Sequence, residues 1–365
     1  MRIALAHDYL NQLGGAEEVL MTLTEIFPNS PIYTLNYSPE KTHYLFKKHQ
    51  ENNLIKTSAL NYLPLSKSHH RIFIPFMPLF SQSLRIEDYD LVFSDSAGFA
   101  KNFNIKSKLH IAYCHSPLRY AWEEDYLTTK IKISANNFII KKILKYLRDW
   151  DYEGAQKPDI LIANSKFIAE KIERYYNRKA IVIYPPVDRK IFFYNPKVKK
   201  ENYFLAVGRL MHYKRFDLII KSFNKLQLPL IVIGNGPEEK KLKKLNTSPK
   251  TQFVDFITDK NKLNQFYSQA KALIFPQIED FGLVAAEAQS SGLPVIAYKE
   301  GGAREIIIDK QTGIFLNHQD SEELIEKILD FEKYNFNPEV ISQSAERFSK
   351  ENFKTNIQKL ISQFL

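Results

Sequence analysis

The sequence is poor in cysteine, in glycine and in long apolar runs, and each shortage excludes a class of protein. Cys114 is the only cysteine among 365 residues, so the chain can form neither an internal disulfide nor an all-cysteine metal site. Glycine contributes 12 residues and apolar residues make up 44%, which indicates a folded globular chain. No apolar run approaches the roughly 20 residues that span a bilayer. The first ten residues are too polar at His7 and Asp8 for a secretory signal, so we expect a cytoplasmic protein in a reducing compartment.

The net charge of +10 predicts an anionic partner, such as a phosphorylated small molecule or an acidic lipid surface. The basic excess is spread along the chain. Residues 1–190 hold 26 Lys and Arg against 20 Asp and Glu, and the remaining residues hold 25 against 21. Because no single segment concentrates the charge, we expect no nucleic-acid-binding module.

Apolar runs of strand length alternate with helical patterns in two successive series, which predicts two domains with parallel sheets. In the first series the predicted strands are Ile3–Ala6, Ile32–Leu35, Leu91–Ser94, Leu109–Tyr113, Ile160–Ala163 and Ala180–Tyr184. In the second series they are Tyr203–Val207, Leu230–Ile233, Thr251–Phe256, Ala272–Phe275, Leu293–Ala297 and Gly313–Leu316. A Pro-Pro pair at 185–186 and a polar stretch at 195–202 separate the two series. We therefore expect α/β domains over residues 1–188 and 199–346, followed by an amphipathic helix over 349–365.

A glycine pair follows the first strand. The segment Asn11–Gly15 ends in Gly14 and Gly15 and precedes a helical pattern over Ala16–Phe27. A strand, a glycine loop and a helix in this order can cradle a phosphate, although the GxGxxG pattern is missing. A plain tight turn is the alternative explanation.

Basic and glycine-rich loops follow three strands of the second series. Gly208 and Arg209 come directly after the first of these strands, with Lys214 five residues further on. Gly234 follows the next strand, and the pair Gly301-Gly302 follows a later one. Ligands of parallel α/β sheets bind at the carboxyl ends of the strands, so Arg209 and Lys214 are candidates for holding a diphosphate. Solvated surface charges are the alternative.

The segment from Pro276 to Gly313 predicts a strand–helix–strand unit with acids around the start of its helix. Glu279 and Asp280 lie in the loop before a helix predicted over Gly282–Gln289, and Glu287 lies within it. A helix N-terminus offers unpaired N–H groups and a partial positive charge, which suit an anion or sugar hydroxyls. From spacing alone, these acids are either ligand-binding groups or favourable first-turn residues.

Taken together, these motifs resemble the retaining glycosyltransferases of family 4, which have the two-domain GT-B fold. The resemblance rests on Glu279 and Glu287 within PQIEDFGLVAAEAQSSGLPVIA and on GRLMHYK at 208–214. The segments IANSKFIAEKI at 162–172, YPPVD at 184–188 and GGAREII at 301–307 fit as well, so nearly the whole chain is covered. The resemblance implies two Rossmann-like domains facing each other across a cleft, with the C-terminal helix returning to the first domain.

The resemblance also implies roles for individual residues. Arg209 and Lys214 would hold the diphosphate of a nucleotide sugar, Glu287 the ribose and Glu279 the transferred sugar. The backbone around these residues would complete the donor site. Its members would be Gly14, Gly15 and Gly208 by close approach, Phe281, Gly282 and Leu283 through N–H groups, and Gly234, Phe256 and Ile257 around the base.

His115 is the candidate catalytic residue of the first domain, since by resemblance its ring or carbonyl faces the donor sugar. The run HSPLRYAWE at 115–123 resembles the O-antigen and exopolysaccharide mannosyltransferases, which favours GDP-mannose as donor. Fixed cations and N–H donors would stabilise the leaving diphosphate, so no metal and no cofactor is expected. The Asp-x-Asp pairs at 88–90 and 149–151 are predicted to be solvated acids at element boundaries and not metal ligands.

Two segments are candidates for contact with an anionic membrane. Residues 130–150 predict a basic amphipathic helix with Lys130, Lys132, Lys141, Lys142 and Lys145, and residues 73–80 are largely apolar. A core helix with a solvated basic face is the alternative. We expect these segments to dock the first domain on the inner face of the cell membrane, where a lipid-linked saccharide would be the acceptor.

Other activities remain open at this point. A UDP-sugar-dependent transferase, a nucleotide-sugar epimerase and a non-catalytic nucleotide-sugar-binding protein share the expected fold. A glycoside hydrolase could use two carboxylates, but Arg209 and Lys214 would then lack a role. A pyridoxal-type phosphorylase would need a Schiff-base lysine that the sequence does not identify.

Overall fold

The computed structural model describes residues 1–123 and 138–364, which fold as two compact units. The first unit comprises Met1–Pro185 and Phe353–Leu365, and the second comprises Pro186–Asn352. The predicted Lys130 and Lys132 lie outside the described residues. The chain passes from the first unit to the second between Pro185 and Pro186, within the predicted Pro-Pro segment.

The first unit is built on a parallel sheet whose described strands follow the order β3-β2-β1-β4-β5-β6-β7. These strands are β1 Ile3–His7, β2 Ile32–Thr34, β3 Ile55–Thr57, β4 Arg85–Ser96, β5 Asn104–Cys114, β6 Ile160–Ala163 and β7 Ile181–Val182. Its helices are α1 Gly15–Ile26, α2 Lys47–Glu51, α3 Ser66–His69, α4 Met77–Ser83, α5 Arg119–Trp122, α6 Phe138–Ala155 and α7 Lys166–Tyr176.

Both faces of this sheet are covered, as the apolar runs predict. Leu5 and Phe93 point into a core that includes α1, whereas Ala6 and Val92, next to them along the strands, point into a core on the opposite face. This alternation follows from the period of two in a strand. Apolar side chains on both faces therefore require helices on both faces.

The second unit repeats the arrangement, with its described strands in the order β10-β9-β8-β11-β12-β13. These strands are β8 Phe204–Val207, β9 Leu230–Ile233, β10 Thr251–Val254, β11 Leu273–Phe275, β12 Val295–Tyr298 and β13 Gly313–Leu316. Its helices are α8 Phe216–Leu226, α9 Glu239–Leu245, α10 Lys260–Gln269, α11 Leu283–Ser290, α12 Ala303–Ile306, α13 Ser321–Asp330 and α14 Pro338–Ser344. The last helix, α15 Lys350–Ile361, begins in this unit and belongs to the first unit from Phe353 onwards. Short 3-10 turns occupy Ala59–Tyr62, His70–Phe76, Ala100–Asn102, His212–Lys214, Phe331–Lys333 and Ala345–Phe348.

The C-terminal helix α15 packs on the first unit. Phe353, Ile357 and Leu360 are buried in the same core as Leu5 and Phe93. The helical spacing of these apolar residues places them on one face, so they form a single stripe against the sheet. The expected fold class, two Rossmann-like domains with a returning terminal helix, is therefore confirmed.

The Asp-x-Asp pair at 88–90 does not precede a strand as predicted. Strand β4 begins at Arg85, and Asp88 lies inside it at a break in register between Glu87 and Tyr89, with a φ of 65°. A bulge inserts an extra residue, and Asp tolerates this left-handed conformation better than most residues do. Asp90 accepts hydrogen bonding from the backbone of Arg2 at 2.7 Å, so it ties the N-terminus to β4.

The second Asp-x-Asp pair contradicts the expectation of two solvated acids. Asp149 is exposed, but Asp151 is fully buried and paired with Lys101 at 2.5 Å. The Asp151 carboxylate also accepts hydrogen bonds from Trp122 Nε1 at 2.8 Å and Tyr176 Oη at 2.6 Å. Residues two apart on a helix lie on different faces, which explains why the two acids differ.

Candidate functional site

The strand order of the second unit places a topological switch point between β8 and β11. From this pair the chain proceeds outwards in both directions, to β9 and β10 on one side and to β12 and β13 on the other. In such sheets the loops after the two central strands diverge and leave a crevice at their carboxyl ends. The loop after β8 begins at Gly208, and the loop after β11 begins at Pro276.

Lys214 and Glu279 meet at this switch point. Lys214 Nζ lies 2.8 Å from Glu279 Oε1, and the side chains are only 13% and 18% exposed. Gly208 is close as well, because a Cβ built on it would lie 3.3 Å from Lys214 Nζ. Three residues predicted from two separate motifs are thus brought together, and they place an ammonium group beside a glycine at the carboxyl edge of the sheet.

Arg209 lies next to Gly208 but takes no part in this ion pair. It is exposed, and over the described part of the chain its guanidinium has neither an ion pair nor a side-chain hydrogen bond. Arg215, which directly follows Lys214 in the same segment, has a structural role instead. Arg215 Nη1 donates to Gln319 Oε1 at 2.9 Å, and Gln319 Nε2 donates to the carbonyl of Pro276 at 2.7 Å.

Gln319 therefore ties the loop after β8 to the loop after β11. Sequence reasoning missed this residue, and no motif could have indicated it. Gln319 is separated from Arg215 by 104 positions and follows a different strand.

Helix α11 starts at the predicted place, with Gly282 as its N-cap. Gly282 has a φ of 103°, a left-handed backbone that favours glycine. The first N–H groups of any α-helix have no partner within the helix, so this turn presents donors beside Glu279. Phe281 is buried and fixes the approach to the helix.

The glycine pair at 301–302 packs against the loop between β11 and α11. Gly302 N donates to the carbonyl of Glu279 at 2.9 Å. A Cβ on Gly302 would lie 2.0 Å from the carbonyl oxygen of Phe281, so no other residue fits without a shift of the backbone. The pair was predicted to allow a close approach, and in the structure it lets its own backbone contact the backbone of Glu279 and Phe281.

Glu287 lies one turn into α11 and is oriented by Tyr267. The Tyr267 hydroxyl lies 3.3 Å from Glu287 Oε2. Burial, followed by the charge of Glu287, raises the pKa of Tyr267 well above its ordinary value. Tyr267 consequently stays a neutral donor and holds the carboxylate in one orientation.

The loops after β9 and β10 adjoin the same edge. A Cβ on Gly234 would lie 2.0 Å from the carbonyl oxygen of Gly208, so the loop after β9 is in backbone contact with the loop after β8. Asn235 Oδ1 accepts a hydrogen bond from the N–H of Phe256 at 2.6 Å, and the Phe256 side chain is 51% exposed. Gly234 therefore adjoins the loop after β8, and Phe256 adjoins the loop after β9; the predicted role of Gly234, Phe256 and Ile257 around a base stays a prediction.

The first unit has its own switch point between β1 and β4. His7 ends β1, and its register partner Asp95 lies at the end of β4. His7 Nδ1 lies 2.8 Å from Asp95 Oδ2, and His115 Nε2, just past β5, lies 2.6 Å from Asp95 Oδ1. Asp95 is fully buried and bridges the two rings.

His115 is therefore held at three points. Its N–H donates to the carbonyl of Ser96 at 2.8 Å, its carbonyl accepts from Asn164 Nδ2 at 3.1 Å, and its ring contacts Asp95. Its side chain is 12% exposed. The Asn164 contact holds the carbonyl in place, and the ring remains the group of His115 with an exposed surface.

Gly14 and Gly15 are both exposed at the start of α1, with Gly14 as its N-cap and Gly15 as its first residue. A Cβ on Gly14 would lie 3.2 Å from Glu17 Oε2. Glu17 is buried, and its Oε1 lies 3.7 Å from His7 Nε2. Sequence reasoning missed His7, Glu17 and Asp95 as site residues, although the positions of His7 and Asp95 at strand ends were a usable signal.

Asp8, next to His7, has a structural role. Its carboxylate accepts hydrogen bonds from the N–H groups of Ala97, Phe99 and Ala100. Burial raises its pKa, although these donors and nearby cations oppose the shift. Asp8 thereby anchors the segment after β4, which carries Lys101.

Two family models match consecutive parts of the chain. The model described as Glycosyltransferase Family 4 matches residues 13–190, and the model described as Glycosyl transferases group 1 matches residues 187–355. Each match begins and ends close to the bounds of one structural unit. Together the two models match residues 13–355, so the chain is similar to glycosyltransferases of family 4 over its first unit and of group 1 over its second, and it has the GT-B fold.

Individual relatives agree with this class. The chain is 27% identical to an uncharacterized glycosyltransferase, MJ1178, of Methanocaldococcus jannaschii, over 53% of this chain and about half (55%) of that protein. It is 26% identical to the alpha-1,3/1,6-mannosyltransferase ALG2 of Mus musculus, over 97% of this chain and 94% of that protein. Among solved structures, HepE of Anabaena in complex with UDP-glucose matches with a TM-score of 0.71 at 17% identity, over 100% of both chains.

Within residues 1–123 and 138–364, none of the helices combines the length and the apolar character needed to cross a lipid bilayer.

Proposed function

We propose that the protein is a retaining, metal-independent hexosyltransferase that moves mannose from GDP-mannose onto a lipid-linked saccharide in bacterial surface polysaccharide synthesis. The observation that carries the proposal is the Lys214–Glu279 pair beside Gly208 at the switch point of the second unit. A nucleotide diphosphate bound at this point would contact both the Lys214 ammonium group and the N–H donors at the start of α11.

The proposed roles follow the charges that develop during transfer. Breaking the sugar–phosphate bond puts negative charge on the diphosphate, which Lys214 and the exposed Arg209 stabilise. Glu279, released in part from Lys214 by the arriving phosphate, accepts hydrogen bonds from the sugar hydroxyls. Glu287 holds the ribose, with Tyr267 behind it. The N–H groups of Phe281, Gly282 and Leu283 hold the distal phosphate and sugar hydroxyls.

The first unit supplies the remaining proposed contacts. Gly14 and Gly15 approach the diphosphate through their backbone, and the His115 ring stabilises positive charge developing at the anomeric carbon. A diphosphate oxygen takes the proton of the acceptor hydroxyl, which attacks from the face that the diphosphate leaves. No protein side chain then has to act as general base.

Two nucleotide sugars are candidates for the donor, and each is supported by a different relative. The likeness to the mannosyltransferase ALG2 over almost the full chain supports mannose. The likeness to HepE, solved with UDP-glucose, supports a UDP-sugar as the second candidate. The proposed base site around Gly234, Phe256 and Ile257 is mainly backbone, so either base fits its hydrogen-bonding character.

The proposal is tested by incubating the protein with GDP-mannose, UDP-glucose or UDP-N-acetylglucosamine, with and without a membrane extract. We expect release of the nucleotide diphosphate from GDP-mannose, increased by the extract, and a product with the donor's anomeric configuration. Release from a UDP-sugar alone supports the second candidate. An epimerised nucleotide sugar, binding without turnover, or no binding at all contradicts glycosyl transfer from these donors.

Membrane docking is proposed for the first unit. Helix α6 exposes Phe138 and Ile139, at 69% and 66%, together with Lys141, Lys142 and Lys145. The segment at 72–79 exposes three apolar side chains, Ile72, Phe76 and Leu79, at 63%, 56% and 67%. Apolar tips flanked by lysines suit the interface of an anionic bilayer.

The two segments share one core, which supports their acting together. Leu147 of α6 is buried in the same cluster as Ile74 and Met77. Docking through this surface would bring a lipid-linked acceptor to the first unit, and a protein so anchored would be cytoplasmic and peripheral on the inner face of the membrane.

Charge reversal at Lys141, Lys142 and Lys145 is expected to abolish co-sedimentation with phosphatidylglycerol-containing vesicles. Each lysine near an anionic surface contributes about 1 kcal/mol, so three reversals weaken binding by a factor of 100 or more, roughly. The matched control reverses Lys240, Lys244 and Lys250, which are exposed on the second unit. Equal loss in both triple variants, or no loss in the first, contradicts docking through α6.

A further inference from the structure

A chain of four ionisable side chains runs through the interior of the first unit. Glu17 lies 3.7 Å from His7, His7 lies 2.8 Å from Asp95, and Asp95 lies 2.6 Å from His115. The side chains of Glu17, His7 and Asp95 are at most 3% exposed. The chain begins under the Gly14 loop and ends at the partly exposed ring of His115, so it joins two places to which the proposed function assigns contacts with the donor.

The hydrogen-bonding rules fix which atoms carry protons. An ionised carboxylate only accepts, so both rings must donate to Asp95. His115 donates through Nε2–H, which leaves its Nδ1 without a proton whenever the ring is neutral. His7 donates to Asp95 through Nδ1–H, and its Nε2 faces the second carboxylate, Glu17.

The charge balance requires a cation between the two acids. Two buried carboxylates on either side of a neutral ring would leave uncompensated charge in the interior, which is costly. Asp8, the next residue along the chain, supplies no positive charge, because it is an acid that accepts hydrogen bonds from the segment after β4. Burial alone would lower the pKa of His7, but contacts with Asp95 and Glu17 outweigh it and raise the pKa to about 10.

We propose that His7 is a permanent imidazolium that acts as a positioning residue at both ends of this chain. Through Asp95 it holds the His115 ring in the Nε2–H tautomer, with Nδ1 available to the ligand. Through Glu17 it neutralises a carboxylate that lies directly behind the Gly14 loop. The role of the chain in turnover rests on the proposed glycosyl transfer, whereas its protonation pattern does not.

The Glu17 end has a specific electrostatic consequence. A helix N-terminus attracts an anion, but an acid in its first turn competes for the same N–H groups and repels the anion. With His7 charged, Glu17, His7 and Asp95 together carry a net charge of −1 instead of −2, so the repulsion of a phosphate at the Gly14 loop is reduced. Loss of the His7 proton would place an uncompensated carboxylate about one helical turn from the bound anion.

The protonation pattern is tested on the ligand-free protein by NMR of histidine ring nitrogens, with His7 and His115 assigned from His7→Asn and His115→Asn. We expect both nitrogens of His7 to carry protons from pH 6 to about pH 9, and neutral His115 to carry its proton on Nε2. In Glu17→Gln, the titration midpoint of His7 should fall by at least about one pH unit. The matched control is Glu18→Gln, which removes the same charge from the same helical turn.

A neutral His7 at pH 7, an Nδ1–H tautomer at His115, or equal midpoints in the two glutamine variants overturns the proposal. These titrations need no nucleotide sugar, so they test the protonation pattern even if the protein shows no transferase activity. An absence of turnover in the wild-type protein counts against the proposed function and not against the protonation pattern.

A second experiment tests the role of the chain in turnover. It measures the kcat of sugar transfer as a function of pH, with the donor that the wild-type protein turns over. The wild-type rate is expected to be flat between pH 7 and 9. In Glu17→Gln the kcat should fall at least about twofold across this range as His7 loses its proton, while the Glu18→Gln profile stays flat. A purely structural role of Glu17 would lower the rate equally at all pH values, and that result also overturns the proposal.

Discussion

Replacing Lys214 by alanine is expected to lower the rate of sugar transfer by about 10²–10³-fold, the usual effect of removing one preorganised group that stabilises a developing negative charge. Lys214 Nζ lies at the switch point of the second unit, 2.8 Å from Glu279, with its side chain only 13% exposed. A cation so shielded from water acts more strongly on a nearby diphosphate than a solvated one does. Removing it also leaves the Glu279 carboxylate uncompensated, and this carboxylate then repels the donor.

The matched control is Lys225→Ala, which breaks a surface ion pair with Glu322 whose two side chains are 59% and 66% exposed. We expect this variant to keep its rate within about twofold, because exposed pairs contribute little. Thermal melts of both variants separate loss of chemistry from loss of fold. A Lys214→Ala enzyme that keeps more than a third of the wild-type rate contradicts the site assignment.

The largest effect on stability is expected from Lys101→Met. Lys101 and Asp151 are both fully buried, with Nζ and Oδ1 separated by 2.5 Å. Breaking a buried ion pair on one side leaves a buried charge without a partner, which typically costs about 3–5 kcal/mol of the free energy of unfolding. Denaturant unfolding of the wild type and the variant measures the difference.

The matched control is Lys47→Met, which removes the partner of Glu51 in an exposed pair with side chains 66% and 62% exposed. This change is expected to alter the free energy of unfolding by less than about 0.5 kcal/mol. Similar values for the two variants contradict a buried charge at Asp151. The result matters for the site, because Asp151 also anchors Trp122 and the N–H of Leu118, in the segment that follows His115.

The strands and the residues at the switch point of the second unit could be predicted because their signals are local. Apolar runs bounded by turn residues define strands, and the carboxyl ends of parallel strands share one edge. Gly208, Lys214 and Glu279 were therefore predicted at one edge, and the structure brings them together.

The buried polar chain of the first unit could not be predicted in the same way. His7 and Asp95 lie on β1 and β4, whereas His115 directly follows β5, so their pairing depends on the register of β4 against both of its neighbours. The period of a strand is two, so a shift by one residue would turn these side chains to the other face. Composition and spacing within one strand do not determine that register.

The wrong prediction for Asp151 has a similar cause. Asp149 and Asp151 look equivalent in sequence, but only one of them faces the interior of the unit. The partners of Asp151, which are Lys101, Trp122 and Tyr176, come from three distant segments. A buried acid is recognised by such partners, and these become visible only once the chain is folded.

The central claim, transfer of a hexose from a nucleotide sugar, is tested most directly by nucleotide diphosphate release from GDP-mannose and the two UDP-sugars in the presence of membrane extract. Wild-type protein and Lys225→Ala are predicted to release the diphosphate from GDP-mannose at similar rates, and Lys214→Ala about 10²–10³-fold more slowly. Absence of release from all three donors, or equal release by Lys214→Ala and the wild type, would contradict the account.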